Sequence, residues 1–223
     1  MKKLLFGLVL LMVSASAFAQ SREFIRQEIR KQGQCRNVAI TEYNGDLMLY
    51  GRNGWAVYDC PSSLTTALRE LNNDSEYIND VQLTNNGKWL ILYGNNGLRW
   101  NDIPYSLESM LRKWNADHEE ITSVSFNDSG DWIAVSTEHI AASSDAIQDW
   151  MAEGMREYGK VWATCITENA IIVVYARGYK FYGDIPYSLE RRLDNVDFNV
   201  YRIKIAGDAW FISDGVSKND YNM

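Results

Sequence analysis

The sequence predicts an α+β protein, a closed five-fold pseudosymmetric ring of βββα repeats of roughly 41–43 residues, behind an export signal. Three observations carry this. The chain matches itself at fixed offsets, each copy reads in the same order of strands and helix, and the two chain ends supply complementary parts of one further copy.

Taken in order, residues 1–19 have a basic start (Lys2, Lys3), an apolar run from Leu4 to Val13 and a small-residue end, Ala15-Ser16-Ala17-Phe18-Ala19. This is the pattern of a cleavable signal peptide, with cleavage expected before Gln20 or Ser21. No cysteine stands where a lipoprotein cleavage site would need one, and no later stretch approaches the roughly 18 apolar residues of a membrane span. The expected location is the periplasm or the exterior. Residues 20–223 read as a single repeat domain. Its units lie at about 34–76, 77–119, 120–159 and 160–197, with a fifth split between 198–223 and 21–33.

Leu49-Tyr50-Gly51-Arg52-Asn53-Gly54 matches Leu92-Tyr93-Gly94-Asn95-Asn96-Gly97 at an offset of 43, and Pro61, Leu64 and Leu68 then fall on Pro104, Leu107 and Leu111. Asp102-Ile103-Pro104-Tyr105-Ser106-Leu107-Glu108 recurs without change at 184–190. The third copy keeps Gly130-Asp131-Trp132-Ile133-Ala134-Val135 against Gly87-Lys88-Trp89-Leu90-Ile91-Leu92, but has lost its Asn-Gly hairpin and its proline.

Within a unit, the first strand alternates (Val38, Ile40; Val81, Leu83; Val124, Phe126; Ala163, Cys165), which predicts one buried face. A polar turn follows. The second strand is apolar throughout, as in Leu90-Ile91-Leu92-Tyr93 and Ile171-Ile172-Val173-Val174-Tyr175, and suits burial on both faces. Asn53-Gly54 and Asn96-Gly97 predict hairpins through positive φ angles. A third strand leads to a helix near Pro61–Leu71, Pro104–Trp114, Asp145–Tyr158 and Pro186–Leu193, with proline at the first helical position. The last segment supplies strands without a helix (Arg202–Ile205, Trp210–Ile212), and residues 21–32 supply a helix closed by Gly33 without strands. Joined, they make the fifth unit and protect the sheet edges.

On circular permutation this unit has the cyclic order of the α/β-propeller, or pentein-like, arrangement, and the five-unit chain resembles it in topology and repeat count. No family motif accompanies the resemblance, so it implies a fold and no activity. An open βββα solenoid would normally end in capping repeats. An all-β propeller of the Trp-Asp-repeat type would need a fourth strand and its Trp-Asp signature.

The repeat also sorts the candidate chemistry. Cys60 stands where Ile103 and Ile185 stand, and Cys165 aligns with Ile40, Leu83 and Phe126, so both read as small buried hydrophobes. Cys35 and Cys60 lie at far ends of strands separated by another, so free thiols are expected. His118 and His139 have no partner at metal or triad spacing. Guanidine-modifying penteins use Cys, His and acidic residues, and that constellation is not found. No catalytic residue, metal site or cofactor is assigned. Asn127-Asp128-Ser129-Gly130-Asp131 lacks the twelve-residue spacing of a calcium loop.

Asp59, Asp102, Asp145 and Asp184 occupy one equivalent position in four units. The simplest reading is helix-start carboxylates that accept free backbone N–H groups. The functional reading makes them a polar-ligand site on an acidic rim shared with Asp128 and Asp131, with Arg52, Asn95 and Arg177 on the opposite face. Among eight tryptophans and thirteen tyrosines, Trp89, Trp132, Tyr50, Tyr93 and Tyr175 recur and read as core. Trp114, Trp150 and Trp162 do not recur, and exposure of one of them would point to ring stacking.

Removing the signal leaves 20 Lys and Arg against 29 Asp and Glu, a net charge near −9 with signs interspersed, which excludes a nucleic-acid footprint. The expected function is an exported, non-catalytic binding module for a protein or carbohydrate. The alternatives are a hydrolase using acidic residues of one rim and a structural protein of the envelope.

Overall fold

The computed structural model describes residues 20–223, so the signal-peptide assignment to 1–19 lies outside the described residues. Helix α1 spans 20–32 and ends at Gly33, whose φ of 64° and N–H bond to the Ile29 carbonyl (3.0 Å) close its last turn. Four βββα units follow. They are β1 (Asn37–Ala39), β2 (Asp46–Tyr50), β3 (Gly54–Tyr58) and α2 (Ser62–Asn73); β4 (Ile78–Leu83), β5 (Trp89–Tyr93), β6 (Gly97–Asn101) and α3 (Tyr105–Ala116); β7 (Ile121–Phe126), β8 (Trp132–Ser136), β9 (Ile140–Ala142) and α4 (Asp145–Tyr158); and β10 (Val161–Ile166), β11 (Ala170–Tyr175), β12 (Gly178–Gly183) and α5 (Tyr187–Leu193). The chain ends in β13 (Arg202–Ala206), β14 (Ala209–Ser213) and β15 (Asn219–Asn222). Each unit holds its own three-stranded antiparallel sheet in sequence order.

Second strands are buried on both faces because each sheet is covered on both sides. Leu47 and Leu49 of β2 pack with Leu64, Leu68 and Leu71 of α2 and with Val81 and Ile91 of the second sheet. The same layering recurs with α3, α4 and α5. Helix α1 fills the equivalent place between the fifth sheet and the first, where Ile25 and Ile29 meet Val38, Met48, Phe211 and Met223. The two ends of the chain are also tied directly. The Ser213 hydroxyl donates to the Arg36 carbonyl (2.5 Å), and the Asn219 amide donates to the Cys35 carbonyl (3.0 Å). Contacts between first strands run β1 to β4, β4 to β7, β7 to β10, β10 to β13, and β13 to β1.

Two sets of side chains latch one unit to the next. The indole N–H groups of Trp89, Trp132 and Trp210 donate to Ser63, Ser106 and Ser188 at the start of the preceding helix (3.0, 2.8 and 2.9 Å). On the first turns, Asn85 accepts from the Glu42 N–H, Asp128 from the Thr84 hydroxyl and Asn86 N–H, and Glu168 from the Asp128 N–H. Asp128 is therefore a turn-to-turn strut between two units.

Three sequence expectations change in detail. Pro61, Pro104 and Pro186 sit at the N-cap, one place before the first helical residue, and their carbonyls accept the first helical N–H bonds. The hairpins form, but their positive φ angles fall on Gly51 and Gly94 rather than on Asn-Gly. Gly54 and Gly97 instead leave room for the rings of Tyr50 and Tyr93, which a Cβ at either position would strike.

The third change is the register of Cys165. Strand pairing sets Cys165 opposite Ile172 and Ile166 opposite Ile171, where the third unit sets Ser125 opposite Ile133 and Phe126 opposite Trp132. Ile166, not Cys165, is thus the counterpart of Ile40, Leu83 and Phe126. The turn of the fourth unit is one residue shorter, which displaces a linear alignment by one. The thiol remains buried, in the cluster shared with the fifth unit.

Candidate functional site

The first strands lie together at the centre of the molecule, and what they point at one another defines its axis. At the end near the first turns, the equivalent residues Ile40, Leu83, Phe126, Ile166 and Ile205 crowd a space of only about 60 Å³. Deeper along the strands the side chains turn polar. Lys204 of β13 reaches Asp80 of β4 (2.8 Å), and Asp80 also accepts from Asn37 (2.6 Å) and Gln82 (2.9 Å). Beside this hub, Ser123, Ser125 and Thr164 exchange hydroxyl hydrogen bonds at 3.0–3.1 Å. Burial pushes the Asp80 carboxyl up, but Lys204 and Arg202 outweigh it and hold the group below the usual carboxylate range.

Past the hub, at the face of the β-hairpins, the axis opens into a cavity of about 790 Å³. This is within the size range of small-ligand sites. Its walls include Tyr77, Trp162 and Tyr201, with Arg202 and Lys160 as cations and Glu120, Glu138 and Asp214 as acids. Trp162 and Tyr201 lie against each other with ring centroids 4.9 Å apart and planes tilted by 46°. Trp162 is half-buried while Tyr201 is exposed. Asp214 is committed to its own turn, where it accepts from the N–H groups of Val216, Ser217 and Lys218.

Arg36 stands behind this wall. Its guanidinium lies over the Tyr77 ring at 4.5 Å and donates to the carbonyls of Ile78 (2.6 Å) and Gly51 (3.0 Å).

No protein-family profile and no curated protein matches the chain. Its chemistry therefore has to be read from its own geometry.

Ser136 and His139 also line the cavity and share Glu119. The Ser136 hydroxyl donates to the Glu119 carboxylate (2.6 Å), and His139 Nδ1 lies 3.0 Å from the same oxygen. These bonds from Ser136 and His139 hold the Glu119 carboxyl below its ordinary range. In a nucleophilic triad the serine hydroxyl would face the imidazole. Here it faces the carboxylate and also accepts from the N–H groups of Glu138 and His139, as a turn-forming side chain does.

The four sequence-predicted aspartates are not brought together. Asp59, Asp102, Asp145 and Asp184 are exposed on four different units, and no cluster of three or more His, Cys, Asp or Glu suited to a metal occurs among the described residues. Nor do they cap helices. Pro61, Pro104 and Pro186 hold the N-cap without a side-chain bond, and Ser144 caps α4 with Asp145 already in its first turn. Asp59 and Asp102 recur because they take φ of 53° and 56°, a left-handed turn that a short polar side chain tolerates. In the fourth unit Gly183 takes that conformation, at φ 82°, and Asp184 is released from it.

Of the non-recurring tryptophans, Trp114 is core, Trp150 is half-buried and covered by Lys180, and only Trp162 lines the cavity. Its failure to recur was the signal in the sequence. The polar residues of the axis carry no distinguishing signal in the sequence, because alternation along a first strand predicts a single buried face.

The cysteines are free, and burial raises their thiols to about 12 for Cys35 and Cys60 and about 11 for Cys165.

Proposed function

We propose that the protein is an exported, non-catalytic binding module of the periplasm or cell exterior, with the axial cavity as its ligand site and a carbohydrate as its ligand. The observation that carries this reading is the recessed, roughly 790 Å³ cavity walled by Trp162, Tyr201 and Tyr77. Sugars present apolar ring faces edged with hydroxyls, and such faces stack on indole and phenol rings whose neighbours exchange hydrogen bonds. A recessed site of this size favours a small flat ligand over a protein partner, which would engage a broad surface.

Binding rather than hydrolysis is favoured by the carboxyl groups. A glycosidase needs a carboxylic acid held protonated near neutral pH beside a carboxylate. Glu119 is held below its ordinary range, and Asp214 Oδ1 accepts three backbone N–H groups of its own turn.

The test is a glycan array probed with the secreted protein, followed by calorimetry on any glycan retained. Binding that is lost in Trp162→Ala and Tyr201→Ala, with far-UV circular dichroism unchanged, is expected. The reading is overturned by an empty array, by capture of a protein partner alone, or by mass-spectrometric detection of cleaved glycan.

A further inference from the structure

Three buried N–H donors at this end of the axis are unpaired in the protein itself: Arg36 Nη2, Arg202 Nε and Trp162 Nε1. Arg202 and Trp162 line the cavity, and Arg36 stands beneath its Tyr77 wall. Arg36 is only 2% exposed, and neither it nor Arg202 forms an ion pair with a carboxylate among the described residues. The two guanidinium groups are close enough to act on each other's charge, and burial with that repulsion lowers the Arg36 pKa.

A buried cation with no directly bonded counterion is costly, and Arg36 and Arg202 feel the charge of Asp80 without pairing with it. Asp80, the buried carboxylate of the axis among the described residues, is engaged by Lys204, Asn37 and Gln82. Glu120 and Glu138 line the same cavity but make no ion pair with either arginine.

We infer that the ligand carries an anionic substituent, a carboxylate or sulfate on a sugar ring, and that the Arg202 guanidinium on the cavity wall receives it, backed by the charge of Arg36 behind Tyr77, while the rings of Trp162 and Tyr201 contact the sugar face. This rests on the carbohydrate reading above and narrows it to acidic saccharides. Guanidinium groups suit such anions because their N–H donors match the paired oxygens of the group.

The test compares uronate-containing, sulfated and neutral glycans on the same array, then titrates the best acidic glycan and its uncharged counterpart (carboxyl-reduced or desulfated). The acidic form should bind at least tenfold more tightly. Arg202→Gln should lower its affinity several-fold and bring it close to that of the neutral counterpart, whereas Trp162→Phe, which loses part of the stacking face together with the N–H, should weaken both forms. Comparing the carboxylate and sulfate arms identifies which anion is read. Equal affinity for acidic and neutral forms, or no effect of Arg202→Gln on the acidic form, overturns the inference and leaves the carbohydrate reading standing. Absence of all glycan binding overturns both.

Discussion

Replacing Lys204 by Met removes the cation that Asp80 faces across the axis while keeping most of the side chain's volume. Asp80 and Lys204 are 4% and 7% exposed, so the carboxylate left behind cannot be rescued by water. Breaking a buried pair by removing one partner costs about 3–5 kcal/mol. With an m value of about 2–3 kcal/mol/M for a chain of this size, that is a fall of roughly 1–2 M in the urea midpoint.

The pH dependence gives a second and sharper readout. In the native protein the Asp80 pKa lies below its unfolded value, so its stabilisation is fully present above the unfolded pKa and is lost as pH falls through the folded one. In Lys204→Met burial is the largest remaining influence, opposed by Arg202 and Asn37, so the folded pKa rises relative to that of the native protein. The variant's penalty should therefore be largest near pH 8 and shrink toward pH 4. Urea titrations followed by tryptophan fluorescence at both pH values measure this. A penalty under about 1 kcal/mol, or one independent of pH, would refute the view that the hub is a desolvated ion pair. The double variant Lys204→Met with Asp80→Leu should recover most of the loss, since two apolar groups replace the pair.

Further outcomes follow from the same geometry. Ser106→Ala leaves the buried Trp132 indole N–H without its 2.8 Å acceptor and should cost about 1–3 kcal/mol, measured by denaturation and by the near-ultraviolet tryptophan signal. Asp102→Val should cost about 1–2 kcal/mol because a β-branched residue cannot hold a φ of 56°, whereas Asp102→Gly should be near neutral. Asp184→Val should also be near neutral, since Gly183 takes the left-handed turn there. Labelling with a disulfide reagent at pH 8 should be slow at all three thiols in the folded protein, whose pKa values stand at about 11–12, and prompt in urea. A thiol that reacts at the rate of a free cysteine would contradict its placement.

Much of the architecture is legible in the sequence because the repeat averages over local noise. A single apolar run such as Ile171–Tyr175 is ambiguous between strand and helix, but its counterparts at 90–93 and 133–135 sit behind the same turns and before the same helices. The site is less legible for a physical reason. Alternation along a first strand ordinarily separates a core face from a wet one. Around an axis there is no wet face, so Asn37, Asp80 and Lys204 are buried against one another, and Ser125 against Thr164, although their pattern is that of exposed residues. Recurrence misleads for the aspartates in the opposite sense. It marks a backbone conformation shared by two units and inherited in sequence by others, and backbone strain leaves no signature that distinguishes it from shared chemistry. Trp162, which does not recur, lines the cavity beside repeat residues such as Leu92, Gly94 and Val135.

The split fifth unit sets a test of how the molecule holds together. In an open array the interface between the first and last sheets would be a terminal contact, and weakening it would fray the ends while the middle units stayed protected. If the units are mutually clamped around the axis, the 5-to-1 interface is equivalent to any other, and weakening it lowers the stability of the whole. Ile25→Ala, fully buried between α1, β1 and β14, and Leu107→Ala, fully buried between the second and third sheets, remove comparable groups and should each cost about 2–5 kcal/mol. The diagnostic is where amide hydrogen exchange accelerates. Clamped units predict that Ile25→Ala speeds the slowest exchange of β8 and β11 as much as that of β2 and β14. Acceleration confined to α1, β1, β2 and β13–β15, with β8 and β11 unchanged, would mean that the contacts of Ser213 with Arg36 and of Asn219 with Cys35 join two ends that the rest of the fold does not need joined.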